Sequence, residues 1–174
     1  IGGSSGTVLK TTNAGVNWGA LTTGVTYTIN NIFALGNRVY CPTSTASILL
    51  TSYDGGTSWF NDTTAATSNS LYDVAFKDSL TGIVSGISAT LRYTTNAGLT
   101  WTPYTTLTST SFWSILYNSN TWYLSGSSNY IYRSTNDGVS WDSISHMGDQ
   151  FIPQLIITWI ETQLTCLLAD HLVY

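Results

Sequence analysis

One eight-residue pattern, S/T-x-D/N-x-G-x-S/T/N-W, occurs four times, at positions 11–18, 52–59, 94–101 and 134–141. Its closing tryptophans, Trp18, Trp59, Trp101 and Trp141, are separated by 41, 42 and 40 residues. That period is the length of one four-stranded propeller blade, a unit that buries its faces only by stacking on its neighbours. The expected fold is therefore all-β: a β-propeller arc of about four four-stranded antiparallel blades. It forms one segment over residues 1–174, with a partial blade at each end.

The residue types in the pattern suit a tight hairpin corner. The side-chain oxygen of Asn13, Asp54, Asn96 or Asn136 can accept backbone N–H groups just downstream and close the loop locally. Two residues later Gly15, Gly56, Gly98 and Gly138 fall where a short hairpin loop needs φ > 0. The opening hydroxyls of Thr11, Ser52, Thr94 and Ser134 can bond within the turn. Each Trp can fold its ring back over the loop as the outgoing strand begins.

Between the corners the strands follow one order. In the second blade they are Asn31 to Leu35, a Gly36-Asn37 turn, Arg38 to Cys41 and Ser47 to Leu50. In the third they are Leu71 to Phe76, Thr81 to Ser85, Thr90 to Tyr93 and Leu99 to Tyr104, with Tyr72, Val74 and Phe76 on one face. The fourth uses Phe112 to Tyr117, Trp122 to Ser125, Tyr130 to Arg133 and Val139 to Ile144. Leu155 to Thr158, Thr165 to Ala169 and His171 to Tyr174 keep the phase of a fifth. Continuing the spacing would open a fifth corner at 175, and residues 1–10 share the phase of 165–174, so the expectation is an arc of a larger ring of six to eight blades. Neighbouring blades or subunits are expected to cover the arc ends. Trp-Asp occurs at one corner only, Trp141-Asp142, which excludes a WD-type propeller, and a parallel solenoid would have a shorter rung.

The four corners resemble the Asp-box, or BNR repeat, of sialidases, sortilin-type receptor domains, some endo-glucanases and the photosystem II assembly factor family. The context Leu71-Tyr72-Asp73-Val74-Ala75-Phe76, Thr81-Gly82-Ile83-Val84-Ser85-Gly86 and Leu91-Arg92-Tyr93-Thr94-Thr95-Asn96-Ala97-Gly98 is most similar to the assembly-factor repeat. The resemblance covers almost the whole chain. It implies the propeller and leaves function open, because the superfamily holds enzymes, receptors and assembly factors.

Composition narrows the functional classes. Charged residues make up 8% of the chain, against about 25% in average soluble proteins. This pattern leads us to expect an extracellular, periplasmic or surface-displayed protein. A net charge of −4 with five basic residues leaves no electrostatic footprint for nucleic acid. The apolar run from Phe151 to Tyr174 is interrupted by Glu161, Gln163, Asp170 and His171, so no membrane-spanning segment is expected. Cys41 and Cys166 fall on equivalent strands of non-adjacent blades and read as small core residues rather than a disulfide. Asn61-Asp62-Thr63 is a glycosylation sequon that matters only in a eukaryotic secretory pathway.

No catalytic residue is assigned. A sialidase-type site needs an arginine cluster, a Tyr–Glu pair and an acid, and this chain has three Arg and one Glu, Glu161. A glucanase-type site needs two carboxyls across a cleft. Asp73 is the one candidate on an inner strand; Asn30, Trp113 and Pro153, taken as its counterparts, carry no acid, and bridging neighbouring strands is the favoured role for it. The corners supply too few oxygens for calcium, and His146 and His171 stand alone, so neither a metal nor a cofactor is expected. Candidate binding residues are Asp73, Arg92, Trp113 and Arg133, with the two arginines on opposite faces. Trp113, Trp122, Tyr123, Tyr130, Tyr132 and Trp159 are candidates either for inter-blade core or for contacts to sugars or protein. The expected function is non-enzymatic binding or scaffolding with protein or glycan partners. The alternative is part of a glycan-active propeller with its catalytic residues mostly outside this stretch.

Overall fold

The computed structural model describes residues 1–44, 48–65, 69–105, 107, 111–127, 130–146, 155–160 and 163–168. Among these residues a 3-10 turn at Ser4–Gly6 precedes sixteen strands. β1 (Val8–Lys10) and β2 (Gly19–Leu21) form a two-stranded sheet around the first box. Three four-stranded antiparallel sheets follow, each with its strands side by side in chain order. The second sheet holds β3 (Phe33–Leu35), β4 (Arg38–Pro42), β5 (Leu49–Ser52) and β6 (Phe60–Asp62). The third holds β7 (Leu71–Phe76), β8 (Gly82–Gly86), β9 (Leu91–Thr94) and β10 (Thr102–Pro103). The fourth holds β11 (Phe112–Asn118), β12 (Thr121–Gly126), β13 (Tyr130–Ser134) and β14 (Asp142–His146). A last hairpin pairs β15 (Leu155–Ile160) with β16 (Gln163–Leu168). This is the meander of propeller blades, with each of the three later boxes between the third and fourth strand of its sheet. The strand expected at His171 to Tyr174 lies outside the described residues, as do Glu161 and Pro153.

The sheets stack face to face because successive residues of a strand point to opposite sides. On β4, Tyr40 joins the cluster shared with the third sheet, while Cys41 joins the cluster shared with the first. Leu49 and Leu50 of β5 divide in the same way. On β8, Val84 packs toward the second sheet and Ile83 toward the fourth. A middle blade therefore buries both faces, and all five residues of β8 are buried. Phe76 stacks on Tyr40 at 4.4 Å and meets Trp101 edge-on at 6.0 Å. Cys41 is a free, buried thiol whose pKa burial pushes up to about 12, so it is an inert core residue.

One expected face is corrected. Leu71 pairs with Gly86 and Asp73 with Ser85, leaving Tyr72 as a β-bulge. The extra residue shifts the alternation by one. Leu71, Val74 and Phe76 share the face toward the second sheet, whereas Tyr72 stacks on Trp113 of the fourth. Trp113 is itself the bulge of β11, between Phe112 opposite Gly126 and Ser114 opposite Ser125. A Cβ on Gly86 would lie 2.3 Å from the Ser70 carbonyl oxygen, so the chain crossing at the first bulge requires glycine.

Candidate functional site

Each box builds the same corner. The Oγ of Thr11, Ser52, Thr94 or Ser134 donates to the box Asn or Asp Oδ1 at 2.9–3.0 Å. It also accepts the N–H of Gly15, Gly56, Gly98 or Gly138 at 2.8–2.9 Å. The Oδ1 of Asn13, Asp54, Asn96 or Asn136 then accepts the N–H four residues on, at 2.9–3.0 Å. Asp54 goes furthest. Ser58 donates both its Oγ, at 2.6 Å, and its N–H, and these bonds hold the Asp54 pKa at about 2. The indole Nε1 of Trp18 and Trp59 donates to the carbonyl of Gly15 and Gly56 at 3.1 and 3.0 Å.

The fourth box position, unconstrained in the sequence pattern, carries the link between blades. Ala14, Gly55, Ala97 and Asp137 all have positive φ, of 54°, 73°, 61° and 56°. In three of them this turns the carbonyl toward the preceding sheet. Lys10 Nζ donates to Gly55 O at 2.8 Å, Tyr40 Oη to Ala97 O at 2.8 Å and Tyr104 Oη to Asp137 O at 2.6 Å. At each of these three corners a donor from the preceding sheet thus meets the same backbone atom of the repeat. The boxes organise blade stacking as well as their own hairpins.

Nearer the inner strands, a second set of equivalent positions touches across blades. Ile29, Leu71 and Phe112 occupy matching places, each opposite Thr43, Gly86 or Gly126. The next residues are Asn30, Tyr72 and Trp113, and those after them Asn31, Asp73 and Ser114. The counterparts of Asp73 are therefore Asn31 and Ser114, not Asn30 and Trp113: from the third to the fourth blade the inner strand advances by one residue more than the box. Asp73 Oδ1 accepts from Asn31 Nδ2 and from the Val74 N–H at 2.7 Å. Its Oδ2 accepts from Ser114 Oγ at 2.7 Å and from the Ile115 N–H at 2.9 Å. One carboxylate ties three successive sheets together. With 5% of its surface exposed, Asp73 has its carboxyl pushed above the usual range by burial, against four bonds that favour the ionised form. Both oxygens are occupied by the fold, and among the described residues no second carboxyl joins them.

Above this clamp the rings of Tyr72 and Trp113 stack at 4.8 Å with 27° between planes, both half-buried. The arginines are not brought together. Arg92 on β9 lies opposite Val84 and Pro103 with its Nε buried and unpartnered, whereas Arg133 on β13 is exposed opposite Tyr123 and Asp142. Among the described residues no three His, Cys, Asp or Glu side chains gather to hold a metal, and no helix is long and apolar enough to cross a membrane. The bulges and the clamp partners were missed from the sequence. The recurring Ser85-Gly86 and Ser125-Gly126 pairs inside strands were the available signal for the bulges.

Comparison with known proteins follows the fold. No curated protein sequence matches the chain. Among solved structures, YCF48 from Cyanidioschyzon merolae superposes with a TM-score of 0.65 at 17% identity, over 91% of this chain and 55% of that one. YCF48 bound to D1 peptide gives 0.56 at 21% identity, over 71% and 40%. The GH74 xyloglucanase from Xanthomonas campestris gives 0.65 at 17%, over 82% and 27%. The chain thus spans between about a quarter and about half of the length of these structures. At such identities they share its propeller fold. The family described as photosynthesis system II assembly factor YCF48 matches residues 60–154, more than half of the sequence, and the chain belongs to that BNR-repeat family.

Proposed function

We propose that the chain is the binding part of a non-enzymatic scaffolding propeller that holds a protein partner on its inner-strand surface, at the Tyr72–Trp113 pair. That stacked pair carries the reading. Two bulges project large rings from neighbouring blades, and the Asp73 clamp beneath keeps them in register, which is the preorganised aromatic anchor that protein contacts favour. A family member whose solved structure holds a D1 peptide supports a peptide or protein as the ligand class. The occupied Asp73 carboxylate speaks against a paired-acid hydrolase, because an acid saturated by four donors is free neither to attack nor to activate water.

The sparse charge supports work outside the cytoplasm or on a displayed surface. The greater length of the relatives supports a ring of six to eight blades over the whole protein, whose further blades or neighbouring subunits would cover the open sheets. Glycan contact is a second reading, favoured by the aromatic-walled cleft between the third and fourth sheets. The test of the first is selection from a random peptide library by the immobilised chain. Trp113→Ala and Tyr72→Ala should each lose the enriched peptides while keeping the thermal midpoint within a few degrees. Enrichment indifferent to both changes, or release of sugars from a glucan and sialoside panel, would sink the reading.

A further inference from the structure

We infer that the cleft between the third and fourth sheets is a binding site for a neutral sugar ring, one unit of an uncharged glycan. The inference deepens the glycan reading and is independent of protein contact at Tyr72 and Trp113. The cleft encloses about 390 Å³, within the range of small-ligand sites. Ile83 and Trp122 form its buried floor, and Tyr93 and Tyr104, with ring centroids 4.8 Å apart, form one wall. Across it Lys77 Nζ, from the β7–β8 turn, reaches Asp137 Oδ2 of the fourth box at 2.6 Å.

The two preceding blade junctions show what is particular here. Between the second and third sheets, the rings of Tyr40, Phe76 and Trp101 fill the equivalent space. Between the first and second, a cleft of about 260 Å³ has Lys10 as the one charged side chain of its lining, tied to the Gly55 carbonyl. Only the third junction of these sets a charged donor and a charged acceptor side by side over aromatic walls.

That pairing selects the ligand. The two charges cancel, so neither an anion nor a cation gains by entering. After their mutual bond the ammonium keeps two donors and the carboxylate keeps acceptor sites. Adjacent hydroxyls of a sugar each donate and accept, and so can bridge Nζ and Oδ as charge-assisted bonds. The C–H face of the ring then lies on tyrosine, an apolar body whose Oη is already engaged by the Asp137 carbonyl.

The test is an NMR titration of the isotope-labelled chain with cellotetraose, mannotetraose and chitotetraose. Tetragalacturonate and a Tyr-containing tetrapeptide serve as the charged and the peptide probe. At least one neutral oligosaccharide should shift the Ile83, Trp122 and box-four amides at millimolar concentration. Lys77→Met should weaken it by about tenfold, a loss carried by the charge-assisted bonds alone. Tyr93→Ala should weaken it too, and the Trp18→Ala change at a distant corner should leave it unaltered. No shift with any neutral sugar, shifts with the peptide or tetragalacturonate alone, or affinity indifferent to Lys77→Met would each overturn the site. A negative result here with Trp113-dependent peptide selection intact removes this inference and leaves the protein-contact reading standing.

Discussion

At the residue scale, two aspartates with opposite shifts illustrate what this fold does with its few charges. Asp54 lies in an exposed corner where donors surround it, so its folded pKa, about 2, is below the ordinary 3.8. Its contribution to stability is present above the ordinary value and is lost as pH falls from about 4 toward 2. Asp73 is shifted the other way by burial: the folded carboxyl holds its proton more tightly than the unfolded one, so this group's contribution declines as pH rises above the ordinary value. Chemical denaturation between pH 2 and pH 7 should therefore show Asp54→Asn with a flatter acid limb than the parent, and Asp73→Asn changing the slope in the opposite sense. Asp73→Ala should cost about 3 kcal/mol at pH 7, since it leaves the buried Ile115 N–H and the Ser114 and Asn31 donors without their acceptor. Glycines with positive φ can be graded likewise. Gly98→Ala meets both a φ of +83° and Tyr40 Cε1 at 3.1 Å, and should cost about 2 kcal/mol. Gly24→Ala, at φ +73° with open space around it, should cost about 1 kcal/mol. Equal losses in urea melts would show that the crowding at Gly98 is immaterial.

At the scale of elements, a box is a hairpin corner that also presents a carbonyl to its neighbour. Tyr40→Phe and Tyr104→Phe each remove one inter-blade donor, from β4 and from the segment after β10, and each should cost about 1 kcal/mol. The two junctions are separate, so the double variant should lose about 2 kcal/mol by simple addition, and a strongly non-additive double mutant would mean that the junctions couple through the third sheet. The box chemistry was legible in the sequence because every bond in it is local, made within five residues. The fourth position was not: Ala, Gly, Ala and Asp share no chemistry, and what they have in common is a left-handed backbone that only the neighbouring blade puts to use. The bulges at Tyr72 and Trp113 were likewise out of reach of a strict two-residue alternation, which carried Tyr72 to the wrong face.

At the scale of the molecule, the sheets depend on one another for burial, so local stability should follow the number of neighbours a strand has. Hydrogen exchange is expected to be slowest in β8, buried throughout between two interfaces, and fastest in the outer strands β2 and β10, whose residues are largely exposed. Protection of β10 equal to that of β8 would contradict a stack held by its inner strands. The pattern of four corners at a near-constant spacing determined by itself the strand content, the order of strands in each sheet and the hairpin chemistry, because local hydrogen bonding and chain length fix those. The tertiary structure decided which residues meet across blades: Asn31 with Asp73 and Ser114, Tyr72 with Trp113, Lys77 with Asp137. Those contacts join residues about forty or more apart, and a one-residue bulge or a single change in repeat length moves a side chain from one face to the other without altering the pattern that announces the fold.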